Sequence, residues 1–179
     1  ALGQSKMVSR PVAGFFHIII YAGFIIINIE VLEIIIDGIF GTHRVFAKPL
    51  GNLYDVLIGS FEFLAIGVLV ACVIFLARRG IVKLKRLNSP ELKGWPRKDA
   101  TIILVTEIVL MSLFLTMNGA DLILQQRDLP HYITAGWFPV SSLLMPMLSG
   151  IPTDSLIVIE RSCWWLHIAG ILLFLNYIP

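Results

Sequence analysis

The sequence predicts an all-α membrane protein: a bundle of four transmembrane helices with a Pro-rich outer lid segment. Three observations predict it. Of the 179 residues, 57% are hydrophobic and only 15% are charged, against roughly 25% charged in soluble domains, and mean hydropathy is +0.85. Four apolar runs reach the ~20 residues that cross the hydrocarbon of a bilayer. Lys and Arg are concentrated in one segment between runs, as in a cytoplasmic loop. This composition excludes a disordered chain and argues against a soluble enzyme.

The first span is read at about 12–40, the second at 53–77, the third at 100–124 and the fourth at 156–178. Only helices or closed barrels satisfy the backbone in lipid, and runs this long without period-2 alternation predict helices. The first run is too long for a signal peptide and lacks a small-residue cleavage site. The chain starts at Ala1 and stops at Pro179 directly after an apolar run, so it is read as a single transmembrane domain belonging to a longer chain.

The segment 78–99 carries Arg78, Arg79, Lys83, Lys85, Arg86, Lys93, Arg97 and Lys98, and the N-terminal stub adds Lys6 and Arg10. The segment after the third span carries only Arg127. The positive-inside rule then places 78–99 and both termini in the cytoplasm, in a bacterial inner membrane. The basic loop reads first as a topology signal and second as a dock for an acidic partner or anionic lipid. No nucleic-acid motif accompanies the charge. Pro130, Pro139, Pro146 and Pro152 prevent a continuous helix over 125–155. Trp137 and Phe138 suit an interfacial belt, so this segment is expected to lie on the outer membrane surface as a lid.

Ionisable residues inside spans are costly and point to function. Glu30, Glu33 and Asp37 fall within ~60° of one another on the first helix, toward its outer half, with His17, Tyr21, Phe24 and Asn28 opposite. The acidic face reads as a proton route or a quinol-side base. Its plainer reading is pairing with Arg44 or Arg161, or placement at the interface. Glu62 and Glu107 lie deeper than Asp55 and Asp121, which are expected to be solvated. Glu30, Glu33, Glu62 and Glu107 are therefore the candidate proton-handling groups. If those groups handle protons, replacing Glu62 or Glu107 by Leu is expected to leave folding intact while impairing quinone-linked turnover. Glu160 and Arg161 open the fourth span as a pair.

His17 and His167 lie within apolar spans, in GFFHIII and CWWLHIAG. Neutral imidazole is the usual ligand of haem b iron in a helix bundle, although a membrane histidine can also only bridge helices. His43 and His131, in or near outer loops, read as non-ligands. At 1.5 Å per residue, His17 lies about 9 Å and His167 about 18 Å above the inner edge. A haem clamped between them needs helix tilt or an offset in span boundaries. Cys72 and Cys163 are too few for a disulfide framework or a CxxC site, so no iron–sulfur cluster is held by cysteines of this chain alone.

The stretches RPVAGFFHIIIYAGFIIINIEVLEIIIDGIFGTHRVF, KGWPRKDA and ERSCWWLHIAGILLFLNYIP resemble the membrane portion of heterodisulfide-reductase-related iron–sulfur proteins. That portion is similar to the haem-b gamma subunit of respiratory nitrate reductase. The resemblance implies helical histidines that hold haem b, and electrons passing between a membrane quinone and a cytoplasmic iron–sulfur domain or subunit. His17 matches the histidine near the start of the family's first ligand-bearing helix, and His167 the first of two on its last helix. The second of these is expected beyond Pro179, as is the cysteine-rich cluster domain. Ile27 and Asn28 stand where the early helix would carry its other histidine.

The leading reading is therefore a membrane electron-transfer module with His17 and His167 as axial ligands, quinone as a further ligand, and iron–sulfur clusters only outside this segment. The alternative is a haem-free membrane anchor or assembly subunit of a respiratory complex. A transporter would call for internal repeats and broken helices, which the sequence does not display. Gly-rich phosphate loops, nucleophile elbows and metal-ligand clusters are likewise absent from the sequence.

Overall fold

Apolar side chains gain nothing by facing inward in lipid, so polar groups set the inner faces of a membrane bundle. The described residues follow that pattern. A computed structural model describes residues 27–81 and 95–177, which are helical apart from turns and connecting loops. Helix α1 covers 27–40 of the described chain. Short α2 is Ala47–Leu50, and long α3 is Asn52–Gly80. Helix α4 is Trp95–Gln126. A 3-10 turn at Ser141–Leu144 runs into α5, Met145–Leu148. Helix α6 is Thr153–Tyr177.

Three helices, within α3, α4 and α6, are long and apolar enough to cross a membrane, which fits an integral membrane protein. They overrun the apolar runs by a few residues because helix continues into polar flanks that the runs exclude. Pro96 falls in the first turn of α4, where its missing N–H costs no hydrogen bond. Pro152 precedes α6, and Asp154 sits in the first turn, where carboxylate charge suits the helix dipole. Residues 12–26 of the first span, with His17, lie outside the described residues, as do Lys6, Arg10 and most of the basic loop.

Helix α4 stands between α3 and α6 and packs on both. Phe63, Phe75, Val109, Val158 and Leu173 are exposed, whereas Glu62, Asn118, Asp121, Glu160 and His167 are buried. The main core joins Ile34, Tyr54, Ile58, Phe61, Phe114, Met117, Phe138, Trp164 and Ile168. A smaller cluster of Ala120, Ile123, Leu124, Tyr132 and Leu156 lies beneath the loop after α4.

That loop does more than cover one end. Val140 and Ser141 N–H, at the 3-10 turn, donate to Glu62 Oε2 at 2.7 and 3.0 Å. Glu62 is ten residues into α3, or about 15 Å from its start, so this non-helical backbone reaches well down the helix, buried in protein as lipid requires. Phe138 is buried, while its neighbour Trp137 is exposed and rests edge-on against Phe63. Residues 133–138 are without helix, and neighbouring side chains of such a segment point to opposite sides. Burial of Phe138 therefore corrects the expectation of a paired aromatic belt.

Two glycines permit close approach. A Cβ on Gly38 would overlap the Trp164 ring, and one on Gly170 would come within 2.6 Å of Leu110 Cδ2. Gly170→Val should therefore push α6 off α4 and cost about 1–3 kcal/mol. The loss should appear in the thermal unfolding of the detergent-purified protein, and Leu110→Ala in the same chain should recover part of it.

Candidate functional site

The site is built around Arg44, in the short link between α1 and α2. Its backbone has φ 56°, in the left-handed region that non-glycine residues rarely adopt. Tight anchoring holds it there. Asp37 Oδ2 accepts the Arg44 N–H at 2.8 Å, and Asp37 Oδ1 accepts Val45 N–H at 3.2 Å and the Thr42 hydroxyl at 2.5 Å. The buried guanidinium donates to Asp121 Oδ2 from Nη2 at 2.6 Å and from Nε at 3.0 Å. It also donates to Asn118 Oδ1 at 3.1 Å and to the Tyr54 hydroxyl at 3.2 Å. The Phe138 ring lies 4.9 Å away, within cation–π range. Burial works against the charge of Arg44, but Tyr54 and Asp121 outweigh it and hold the group above its ordinary value.

Asp121 has further donors. Ile133 N–H donates to His43 Nδ1 at 3.2 Å, which places the ring proton on Nε2 for donation to Asp121 Oδ1 at 2.7 Å. Gln125, one turn on, donates to Asp121 Oδ2 at 3.0 Å and accepts Ala135 N–H at 3.2 Å. Asn118 passes the network inward by donating to Glu62 Oε1 at 3.2 Å. Glu33 accepts Phe46 N–H and the Tyr54 hydroxyl, each at 2.8 Å. Three helices and both loops at this end thus meet in one polar network.

At its edge, Glu160 pairs with Arg161 at 3.3 Å, as read from the sequence, and accepts the Tyr132 hydroxyl at 3.3 Å. Burial, then the Glu160 charge, pushes the Tyr132 phenol up. Arg161 Nη2 lies 2.7 Å from His131 Nε2, a contact that needs a neutral ring accepting from the guanidinium. Burial, then the Arg161 charge, holds His131 below its ordinary value. Between these groups and α1 is a cavity of about 40 Å³.

The four candidate carboxylates separate in this geometry. Glu33 and Glu62 are acceptors for loop backbone, and Glu62 is fully buried. Glu62→Leu would orphan two backbone N–H groups and the Asn118 amide, so the expectation that folding survives that change is corrected. Glu30 is buried and lines the cavity. Glu107 is half-buried on α4, fourteen residues from Asp121, or about 21 Å along the helix. Asp121, expected to be solvated, is buried in the Arg44 pair. Asp55 is exposed, as expected, and accepts Gly136 N–H at 3.0 Å. His43, read as a non-ligand, orients Asp121.

His167 is buried on α6, with Nδ1 2.9 Å from the Leu110 carbonyl and the Phe114 ring 5.7 Å away between centroids. A carbonyl only accepts, so Nδ1 carries the proton and Nε2 keeps its lone pair. Among the described residues no hydrogen bond reaches Nε2. That tautomer and backbone partner fit a metal-ligating imidazole. Among the described residues no three His, Cys, Asp or Glu side chains are grouped to hold a metal ion.

Sequence reasoning passed over the Arg44–Asp121 centre. The signal was available in part: Asn118, Asp121 and Gln125 recur at helical spacing on one face of a span, and an arginine stands in the short link opposite.

No family model matches the chain, and no solved structure matches it. It is 29% identical over 178 residues to a probable iron–sulfur-binding oxidoreductase, FadF, of Bacillus subtilis, covering 99% of this chain and 23% of that protein. It is 22% identical over 188 residues to an EtfAB:quinone oxidoreductase of Syntrophomonas wolfei, covering 100% of this chain and 24% of that one. The chain therefore spans about a quarter of the length of these curated relatives.

Breaking a buried ion pair leaves its partner charged and unpaired, at about 3–5 kcal/mol. Arg44→Leu should lose that much in denaturant unfolding, and Asp121→Leu a similar amount. The double variant should lose less than the sum. His131 supplies a pH dependence. Because its folded value is lowered, its contribution is complete above the ordinary value of about 6.5 and is lost as pH falls through the lowered value. Acidification from about pH 7.5 to about pH 5 should therefore lower the thermal midpoint of the wild type more than that of His131→Asn.

Proposed function

We propose that the chain is the membrane electron-transfer module of a larger iron–sulfur oxidoreductase. It passes electrons between a membrane quinone and a cytoplasmic iron–sulfur domain or subunit. The single observation that supports this best is His167: a buried histidine midway along an apolar helix, its Nδ1 proton given to a backbone carbonyl and its Nε2 without a hydrogen bond among the described residues. The printed names of the two relatives, an iron–sulfur-binding oxidoreductase and a quinone oxidoreductase, supply the reaction class.

In this reading the first span joins α3, α4 and α6 in a four-helix bundle, and 125–155 closes its outer end. The basic segment and both termini face the cytoplasm of a bacterial inner membrane. Haem b would supply one-electron chemistry when bound, and His167 would hold it, with His17 as the candidate second ligand. The likeness to the haem-b gamma subunit of respiratory nitrate reductase belongs to the same proposal. The protein fixes the imidazole through Leu110, keeps water from it with Phe114, and lets α4 and α6 approach at Gly170. Among the carboxylates, Glu33 and Glu62 hold loops, and Glu30 and Glu107 remain the candidates for proton handling.

A reduced-minus-oxidised absorption spectrum of the full-length protein tests this reading. A b-type haem band is expected, lost or shifted in His167→Ala and in His17→Ala. A folded full-length protein without haem would overturn it and leave the anchor or assembly subunit, for which the Arg44 network would be a purely structural brace.

A further inference from the structure

The cavity beside Arg44 has an unusual balance of groups. Helix α1 contributes Glu30, Glu33 and Asp37, α4 contributes Asp121, and α6 contributes Glu160 with Arg161. His43 and Arg44 enter from the link, and Glu62 of α3 acts on Glu30 from farther away. Five carboxyl groups therefore share one small space with two guanidinium groups.

Fixed donors account for four of the five. Glu33 is bound by Phe46 and Tyr54, and Asp37 by Thr42 and the Arg44 and Val45 amides. Asp121 takes Arg44, His43 and Gln125. Glu160 takes Tyr132 and Arg161. Glu30 differs. It is 8% exposed and lines the cavity, and no hydrogen bond reaches it from any described residue. Its natural partner is water, and about 40 Å³ holds about three molecules at ~10–15 Å³ each.

We propose that Glu30 is a proton-exchange site that trades a proton with water in this cavity, and that this water connects it past Glu160 to the loop-bearing end of the bundle. The step moves one proton between the Glu30 carboxyl and a water molecule, and no electron moves with it. The four donor-bound carboxylates stay as acceptors, which leaves Glu30 as the cavity carboxyl free to exchange with water. Arg44 and Arg161 line the same cavity. Trp164, packed against Gly38, closes the side wall. The exchange site stands on the cavity alone. Its use in quinone-linked turnover rests on the function proposed above.

Infrared spectroscopy of the full-length protein separates the two. In the wild type we expect the carbonyl stretch of a protonated carboxylic acid that shifts in D2O and titrates with pH. It should be lost in Glu30→Gln, which conserves volume, and kept in Glu33→Gln. Absence of the band, or its persistence in Glu30→Gln, would overturn the exchange site whatever the turnover. With the band assigned to Glu30, quinone-linked turnover should fall at least ~10-fold in Glu30→Gln with the reduced haem spectrum unchanged. Unaltered turnover there would overturn the coupling. A wild type with the band but without haem or quinone-linked turnover would sink the function proposal and leave the exchange site standing.

Discussion

The Arg44–Asp121 pair is the constraint on which the rest of this end depends. Two opposite charges cost several kcal/mol each to bury, and their attraction repays that only with good geometry and further hydrogen bonds. Here both conditions hold. Two donor atoms of Arg44 converge on one Asp121 oxygen, and Asn118, Tyr54, His43 and Gln125 fill the remaining positions. Removing either charge would strand its partner among Phe138, Met117 and the α4 backbone. The left-handed backbone of Arg44 follows, since Asp37 binds its amide while its side chain must reach α4.

From that pair the order of assembly can be followed outward. Tyr54 ties Arg44 to Glu33, which holds the start of α2 through Phe46. Asn118 ties it to Glu62, which receives the 3-10 turn through Val140 and Ser141. Gln125 and His43 fasten Ala135 and Ile133. The carboxylates that look like catalytic acids in the sequence are, in several cases, the acceptors that let irregular backbone approach apolar helices. An unsatisfied N–H is expensive in such surroundings, so each carboxylate placed there has a structural duty before any chemical one.

The helical class was legible because span length and apolar runs depend on composition alone, and three of the four runs appear as helices long enough to cross a membrane. Helical spacing alone puts Glu160, Trp164 and His167 on one face of α6, and all three are buried. What the sequence hid is long-range. Nothing local distinguishes Asp121, bound to Arg44 seventy-seven positions away, from a solvated residue at a helix end. Nothing local distinguishes Glu62 from a proton carrier until the backbone of Val140 arrives at it. Phe138 was obscure for a related reason: which side of a non-helical segment turns inward depends on where Arg44 sits.

The shared face of α6 also connects the two proposals. Glu160 borders the cavity, Trp164 lines its wall, and His167 lies seven residues from Glu160, or about 10.5 Å along the axis. A cavity-lining carboxylate and the proposed iron ligand are thus two turns apart on one rigid element, with Trp164 between them in sequence. Trp164 lines the cavity, whereas the ring beside His167 is that of Phe114. At that spacing in a low-dielectric interior, charge on one would be felt by the other. A change in the oxidation state of a centre at His167 would then alter the field at the cavity and shift proton occupancy there. That electrostatic link requires no moving part, only the fixed spacing of α6 and the buried Arg44–Asp121 pair that holds α1 and α4 against one another.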